Sequence, residues 1–162
     1  MVHKEFLGKE GTDPRIEVVE NMIKDIEQNS TVLVFNERFE KARIKELIQD
    51  FPQYANELQK IYDNIADLAV PFQKKYYYDY RLMGKYSIKL VMPLLVPHMA
   101  QAYKELNLVQ NGADAMSIFP KLVDMDESTK SEYRKALLEY CKLDTLAMVE
   151  ILKKLKGELI TN

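Results

Sequence analysis

Behind Thr12-Asp13-Pro14, apolar residues recur at Ile16, Val19, Ile23 and Ile26. That spacing marks one face of a helix opened by a capping residue and a proline, expected over roughly Pro14 to Gln28. After Asn29-Ser30 the period gives way to Thr31-Val32-Leu33-Val34-Phe35, an uncharged run that reads as a strand buried on both faces. From Glu37 the helical period returns, with Ile44, Leu47, Ile48 and Phe51 on one face, and Pro52 opens a further helix to about Asn64. Asp67-Leu68-Ala69-Val70 before Pro71 is expected to be a short strand, and His3 to Leu7 another.

Cations and aromatics then alternate closely in Lys74-Lys75-Tyr76-Tyr77-Tyr78-Asp79-Tyr80-Arg81, the pattern of a loop or lid. Gly84 and Tyr86-Ser87-Ile88-Lys89 lead into a short helix ended by Pro93 or Pro97. Thr129 with Glu132 three residues later has the form of a capping box, and helical periodicity continues to about Lys156 as one helix or two in succession. No repeat, low-complexity linker or shift of composition divides the chain. One domain of helix-rich α/β class is expected.

The composition narrows the function classes. Of 162 residues, 47% are hydrophobic, enough for a sizeable core. The 23 basic and 25 acidic residues leave a net charge of -2, so no global positive field attracts polyanions, and any contact with nucleic acid must be local. A lone cysteine, Cys141, and the lack of a signal-peptide pattern point to the reducing cytoplasm. The apolar stretch Leu90 to Val96 is interrupted by Pro93 and too short for a bilayer, so no membrane partner is expected. His3 and His98 lack metal-ligand spacing.

On the last helix Leu137, Cys141, Met148, Leu152 and Leu155 mark one stripe, with Tyr140, Ala147 and Ile151 beside it. Asp144 falls inside this broad apolar face. A carboxylate there must pair with a cation, coordinate a metal or line a wet cleft, because burying it alone is very costly. The plainer alternative is an edge aspartate in water, or one that caps a neighbouring helix. A second candidate lies where the first strand ends, at Phe35-Asn36-Glu37-Arg38-Phe39-Glu40, since ligands gather beyond the carboxyl ends of strands in open α/β sheets. Glu40 shares a helix face with Ile44 and Leu47. Here too a plainer alternative exists, with Asn36 as an ordinary N-cap and Glu40 as a first-turn glutamate favoured by the helix dipole.

Taken together, Asn36-x-x-x-Glu40 and Tyr140-x-x-x-Asp144 resemble the second and third motifs of DEDD exonucleases, with the tyrosine marking the DEDDy branch. The chain more closely resembles the bacterial family called domain of unknown function 2779, often found behind RecB-like nuclease domains. This likeness rests on the order and spacing of many short pieces. In the first half they are His3-Lys4-Glu5-Phe6-Leu7, Asp13-Pro14-Arg15, Phe35-Asn36-Glu37-Arg38-Phe39-Glu40 and Phe51-Pro52-Gln53-Tyr54-Ala55. They continue through Asp67-Leu68, Pro71-Phe72, Tyr77-Tyr78, Tyr86-Ser87-Ile88-Lys89, Val96-Pro97 and Tyr140-Cys141-Lys142-Leu143-Asp144-Thr145.

The resemblance implies a partial ribonuclease-H-like domain and a 3'-5' exonuclease hydrolysing DNA or RNA. Four carboxylates would hold two Mg2+ or Mn2+ ions, about 3.5 to 4 Å apart. Asp144 would be a direct ligand, Tyr140 would orient the attacking water, Glu40 would stand in place of the usual motif-two aspartate, and Asn36 would hold the strand-helix turn. Glu40, longer by one methylene, would reach the metal directly or through water. The first motif, Asp-x-Glu on a leading strand, has no match. Asp25-Ile26-Glu27 lies in a helix, where residues two apart diverge by about 200° and cannot chelate one ion. Asp124-Met125-Asp126-Glu127 is a polar helix entry. The missing motif is expected upstream of His3, in a fold whose first strands lie outside this chain, so the isolated chain should be inactive.

An alternative is a non-catalytic module binding nucleic acid or protein, with Lys74, Lys75, Tyr77, Tyr78 and Arg81 as the contact residues through stacking and charge. Against this stands a lid whose tyrosines pack on the domain with wet hydroxyls. A strand covered on both faces, left with an open edge, should also pair with a second copy as a homodimer.

Overall fold

The computed structural model describes residues 2–160, with the backbone alone for 158–160. Its helices are α1 (Arg15–Asp25), α2 (Glu37–Asp50), α3 (Ala55–Asp63), α4 (Val70–Gln73), α5 (Ile88–Leu95), α6 (Ala102–Glu105), α7 (Gly112–Ile118) and α8 (Glu127–Ile160). The strands are β1 (Val32–Val34) and β2 (Ile65–Asp67), paired in parallel with Val32 opposite Ile65 and Val34 opposite Asp67. The chain is therefore helix-rich with a small parallel sheet. It divides into two compact units, Pro14–Leu90 and Met1–Asp13 with Val91–Asn162.

In the first unit α2 follows β1 and α3 leads into β2, a right setting for parallel pairing because the helices provide the crossover. Val19 of α1, Val34, Ile44 of α2, Leu58 and Ile61 of α3 and Ile65 form its core, with Leu47, Ile48 and Phe51 packed against them. The α2 periodicity read from the sequence is thus the buried face. Two expectations change. Helix α1 begins at Arg15 with Pro14 in the cap position, because the Pro14 carbonyl accepts from Val18 N–H while Thr12 turns its hydroxyl to the Lys9 carbonyl. Strand β1 is three residues long and only Val34 is buried. It is half-covered, so the premise of the expected homodimer, a strand enclosed on both faces, is not met.

Strand β2 begins two residues before the expected Asp67 and ends at it, since Leu68 turns and α4 takes Val70 onward. His3 to Leu7 is extended chain that forms no strand. Pro93 sits inside α5, which ends at Leu95 ahead of Pro97.

The second unit is built around α8, one continuous helix of 34 residues and about 51 Å. Its cap is Asp126, whose Oδ1 accepts the Thr129 N–H at 3.1 Å, rather than Thr129 itself. Ala136, Leu137 and Tyr140 of α8 pack with Val109 and Leu122, and Leu7, Tyr103, Ile118 and Phe119 close around them. The chain's first residues are strapped to α8 by Arg134, which donates to the carbonyls of Leu7 and Gly8 and to Glu10 Oε2. Gly11, at φ +73°, lets the strap turn: a Cβ there would meet Val123 Cγ2 at 3.2 Å. Among the described residues no helix is long and apolar enough to cross a membrane.

Candidate functional site

The first cluster stands at the carboxyl end of the parallel sheet. Asn36 joins β1 to α2 in the left-handed conformation, φ 90° and ψ 70°, and its side chain makes no capping bond. A non-glycine residue rarely adopts this conformation without support from its surroundings. The support is Asp67, at the end of β2. Its Oδ1 accepts from Asn36 N–H at 3.0 Å and Ala69 N–H at 2.8 Å, and its Oδ2 accepts from Glu37 N–H at 3.1 Å. One carboxylate thus satisfies donors at the start of α2, where the helix dipole also favours negative charge, and fixes the turn into α4. The role expected of an Asn36 side-chain cap belongs to Asp67.

Glu40, on the first turn of α2, is half-buried on the face that continues through Ile44. Desolvation pushes its carboxyl pKa up. Its neighbour in sequence, Lys41, is engaged elsewhere, donating to Glu37 Oε2 at 2.8 Å.

The second cluster lies on α8. The buried stripe is Leu137, Tyr140, Ala147 and Ile151, and Asp144 takes the half-buried place between Tyr140 and Ala147. Cys141, placed on the stripe by its spacing, is instead exposed. Tyr103, just inside α6, donates its hydroxyl to Asp144 Oδ1 at 2.6 Å. Tyr140 lies one turn before Asp144 on the same helix. Burial first, and then the nearby Asp144 carboxylate, push both phenols far above their ordinary pKa, so both hold their protons. The Cys141 thiol is pushed up as well, by desolvation and then by Asp144 and Glu5, the opposite of what activates a nucleophilic cysteine. Asp144 thus has the Tyr103 phenol as its hydrogen-bond partner, and no ion pair to it occurs among the described residues. Tyr103 carried no motif and no periodic signal that sequence reasoning could have used.

The third group is the loop from Lys74 to Leu82. Tyr77 donates its N–H to the Pro71 carbonyl and sets its ring edge-on to Phe72, centroids 5.5 Å apart. Arg81 is committed to Asp79: its Nε and Nη2 donate to the two carboxylate oxygens at 2.9 and 2.6 Å. That pairing holds the Asp79 carboxyl at about 2. Lys74, Lys75 and Tyr78 are exposed.

Asn36 and Glu40 lie in the first unit, and Tyr140 and Asp144 in the second. Among the described residues no group of three or more His, Cys, Asp or Glu could by itself hold a metal ion. The family described as Domain of unknown function (DUF2779) matches residues 1–87. Over 146 aligned residues the chain is 29% identical to the uncharacterized protein UU173 of Ureaplasma parvum serovar 3, a match covering 78% of this chain and 21% of that protein. The chain thus spans about a fifth of that curated relative. No solved structure matches.

Proposed function

The chain belongs to the Domain of unknown function (DUF2779) family, and we propose that it supplies part of a metal-dependent nuclease in which Asp144 ligates a divalent cation. One observation carries this. Asp144 is a half-buried carboxylate on an apolar stripe, with the Tyr103 phenol as hydrogen-bond partner and no countercharge among the described residues. Such a group is stabilised by a cation arriving from outside.

The donor chemistry fits a hard cation, because carboxylate oxygens are its preferred ligands, but a single carboxylate is far short of six. In this proposal the remaining ligands come from beyond the cluster, and Mg2+ or Mn2+ when bound stabilises charge on a phosphodiester during hydrolysis. Tyr103 fixes the Asp144 carboxylate by binding Oδ1. Tyr140, kept protonated at neutral pH, serves as a hydrogen-bond donor that orients an oxygen and not as a base. Glu40, whose pKa desolvation raises, stays a candidate carboxylate on its own unit, and Asp67 keeps the turn that carries it.

The test is degradation of labelled single-stranded DNA, duplex DNA and RNA by the gene product as encoded, with Mg2+ or Mn2+. Metal-dependent cleavage abolished by Asp144→Asn and reduced by about a hundredfold by Tyr140→Phe supports the proposal. Cleavage untouched by Asp144→Asn, or no cleavage by the folded product with either metal, would overturn it. The isolated chain should show little heat with manganese in calorimetry.

A further inference from the structure

The segment Lys74 to Lys89 concentrates charge that the chain as a whole does not carry. It holds five cations, Lys74, Lys75, Arg81, Lys85 and Lys89, against one carboxylate, Asp79, within a chain of net charge -2. Arg81 and Asp79 neutralise each other through two hydrogen bonds, so the excess is borne by lysines, and Lys74, Lys75, Lys85 and Lys89 are all exposed. The same segment displays the largest run of exposed aromatic surface. Tyr76, Tyr78 and Tyr80 are 81%, 68% and 77% exposed.

Their presentation is built into the loop. The backbone alternates side chains, so Tyr77 and Asp79 turn inward, Tyr77 onto Phe72 and Asp79 onto Arg81, while the three tyrosines between and beside them turn out. Left-handed residues bracket the loop, Lys75 at φ 59° and Met83-Gly84 at φ 48° and 75°. Leu82 is buried behind it, and the Gln73 amide reaches the Tyr86 hydroxyl at 3.3 Å. Exposed rings on an anchored loop lose little freedom when a flat partner stacks on them.

From this juxtaposition we infer that Tyr76, Tyr78 and Tyr80, flanked by Lys74, Lys75 and Lys85, form a binding strip for single-stranded nucleic acid. Unstacked bases meet the rings, and phosphates meet the lysines. A protein partner would find apolar surface here but no use for the exposed Lys74, Lys75 and Lys85, and a duplex hides its base faces from the rings. The strip is independent of the Asp144 chemistry, since all of it lies within one unit.

The experiment is fluorescence anisotropy of a labelled twelve-residue oligothymidylate titrated with the full chain in EDTA, where metal-dependent cleavage cannot contribute. Saturable binding, weakened at least about tenfold in the triple variant Tyr76→Ala, Tyr78→Ala, Tyr80→Ala and retained in the triple phenylalanine variant, supports the strip. Replacing Lys74, Lys75 and Lys85 by glutamine should lower the slope of log affinity against log salt by about 2, because each phosphate contact on a single strand contributes about 0.7. Equal affinity of the alanine variant and the parent, tighter binding of the matching duplex, or no saturable binding at all overturns it. Should the triple alanine variant misfold, the three single variants carry the same comparison. Asp144→Asn must bind like the parent, so cleavage untouched by Asp144→Asn, with binding intact, counts against the nuclease proposal alone.

Discussion

The Tyr103 hydroxyl donates a 2.6 Å hydrogen bond to Asp144 Oδ1 across 41 residues of sequence. A phenol bonded to a carboxylate is a strong pairing, and both partners are half-buried. Tyr103→Phe removes the donor while keeping the ring, so it should lower the stability of the chain by about 1 to 2 kcal/mol in urea unfolding. The bond also has a pH signature. Both Tyr103 and Tyr140 have folded-state pKa values raised above the ordinary 10.0. Their stabilisation is therefore complete below pH 10 and is lost as pH rises through the folded values. Absorbance of tyrosinate near 295 nm should show Tyr103 and Tyr140 resisting titration until the chain unfolds. Ten tyrosines ionising together near pH 10 would contradict the arrangement.

At the turn between β1 and α2, conformation and side chain can be separated by mutation. Asn36 is left-handed and makes no capping bond with its side chain. Asn36→Gly should therefore hold stability or raise it by up to about 1 kcal/mol, and Asn36→Ala should lower it by about 1 kcal/mol. Asp67→Ala strands three backbone donors and should cost about 2 kcal/mol, with Asp67→Asn intermediate because one oxygen serves two of the three. Thermal denaturation of the four variants would rank them. An Asn36→Gly change as harmful as Asp67→Ala would show that the asparagine side chain matters after all.

Glu40 should titrate above the ordinary glutamate value because desolvation raises its pKa. A raised folded-state pKa means that its contribution is fully present below the unfolded value of 4.5 and is lost as pH rises through the folded value. At pH 7 the charged carboxylate thus opposes folding, mildly, since water still reaches it. Glu40→Gln should stabilise the chain at pH 7 by roughly 0.5 kcal/mol, with the gain disappearing near pH 4. Carbon-detected NMR titration of the Glu40 carboxyl would check the direction. A gain at pH 7 joined to lost cleavage in the gene product would mark a carboxylate kept for function at the expense of stability.

Much of this arrangement could be read along the chain because it is local. The 3.6-residue period placed α2 with Ile44, Leu47, Ile48 and Phe51 inward, and the long C-terminal period anticipated α8. Tyr140 and Asp144 being one turn apart on a helix needed only their spacing. Where several weak local signals compete, the sequence led astray. Apolar Thr31 to Phe35 suggested a strand enclosed on both faces, yet β2 pairs with one edge and leaves Val32 and Leu33 half-covered. Thr129 with Glu132 suggested a cap, which Asp126 supplies three residues earlier.

Contacts between distant residues were decided by the tertiary structure alone. Asp67 holds the turn at Asn36 from 31 residues away, and Tyr103 holds Asp144 from 41. Neither pairing has a periodicity, because each depends on two elements meeting in space rather than on the repeat of one. The same holds for the tyrosines of the loop. Five aromatic and acidic residues in a row, Tyr76 to Tyr80, are equivalent in the sequence. Packing of Phe72 against Tyr77 and of Arg81 against Asp79 decides which of them turn inward and which meet solvent.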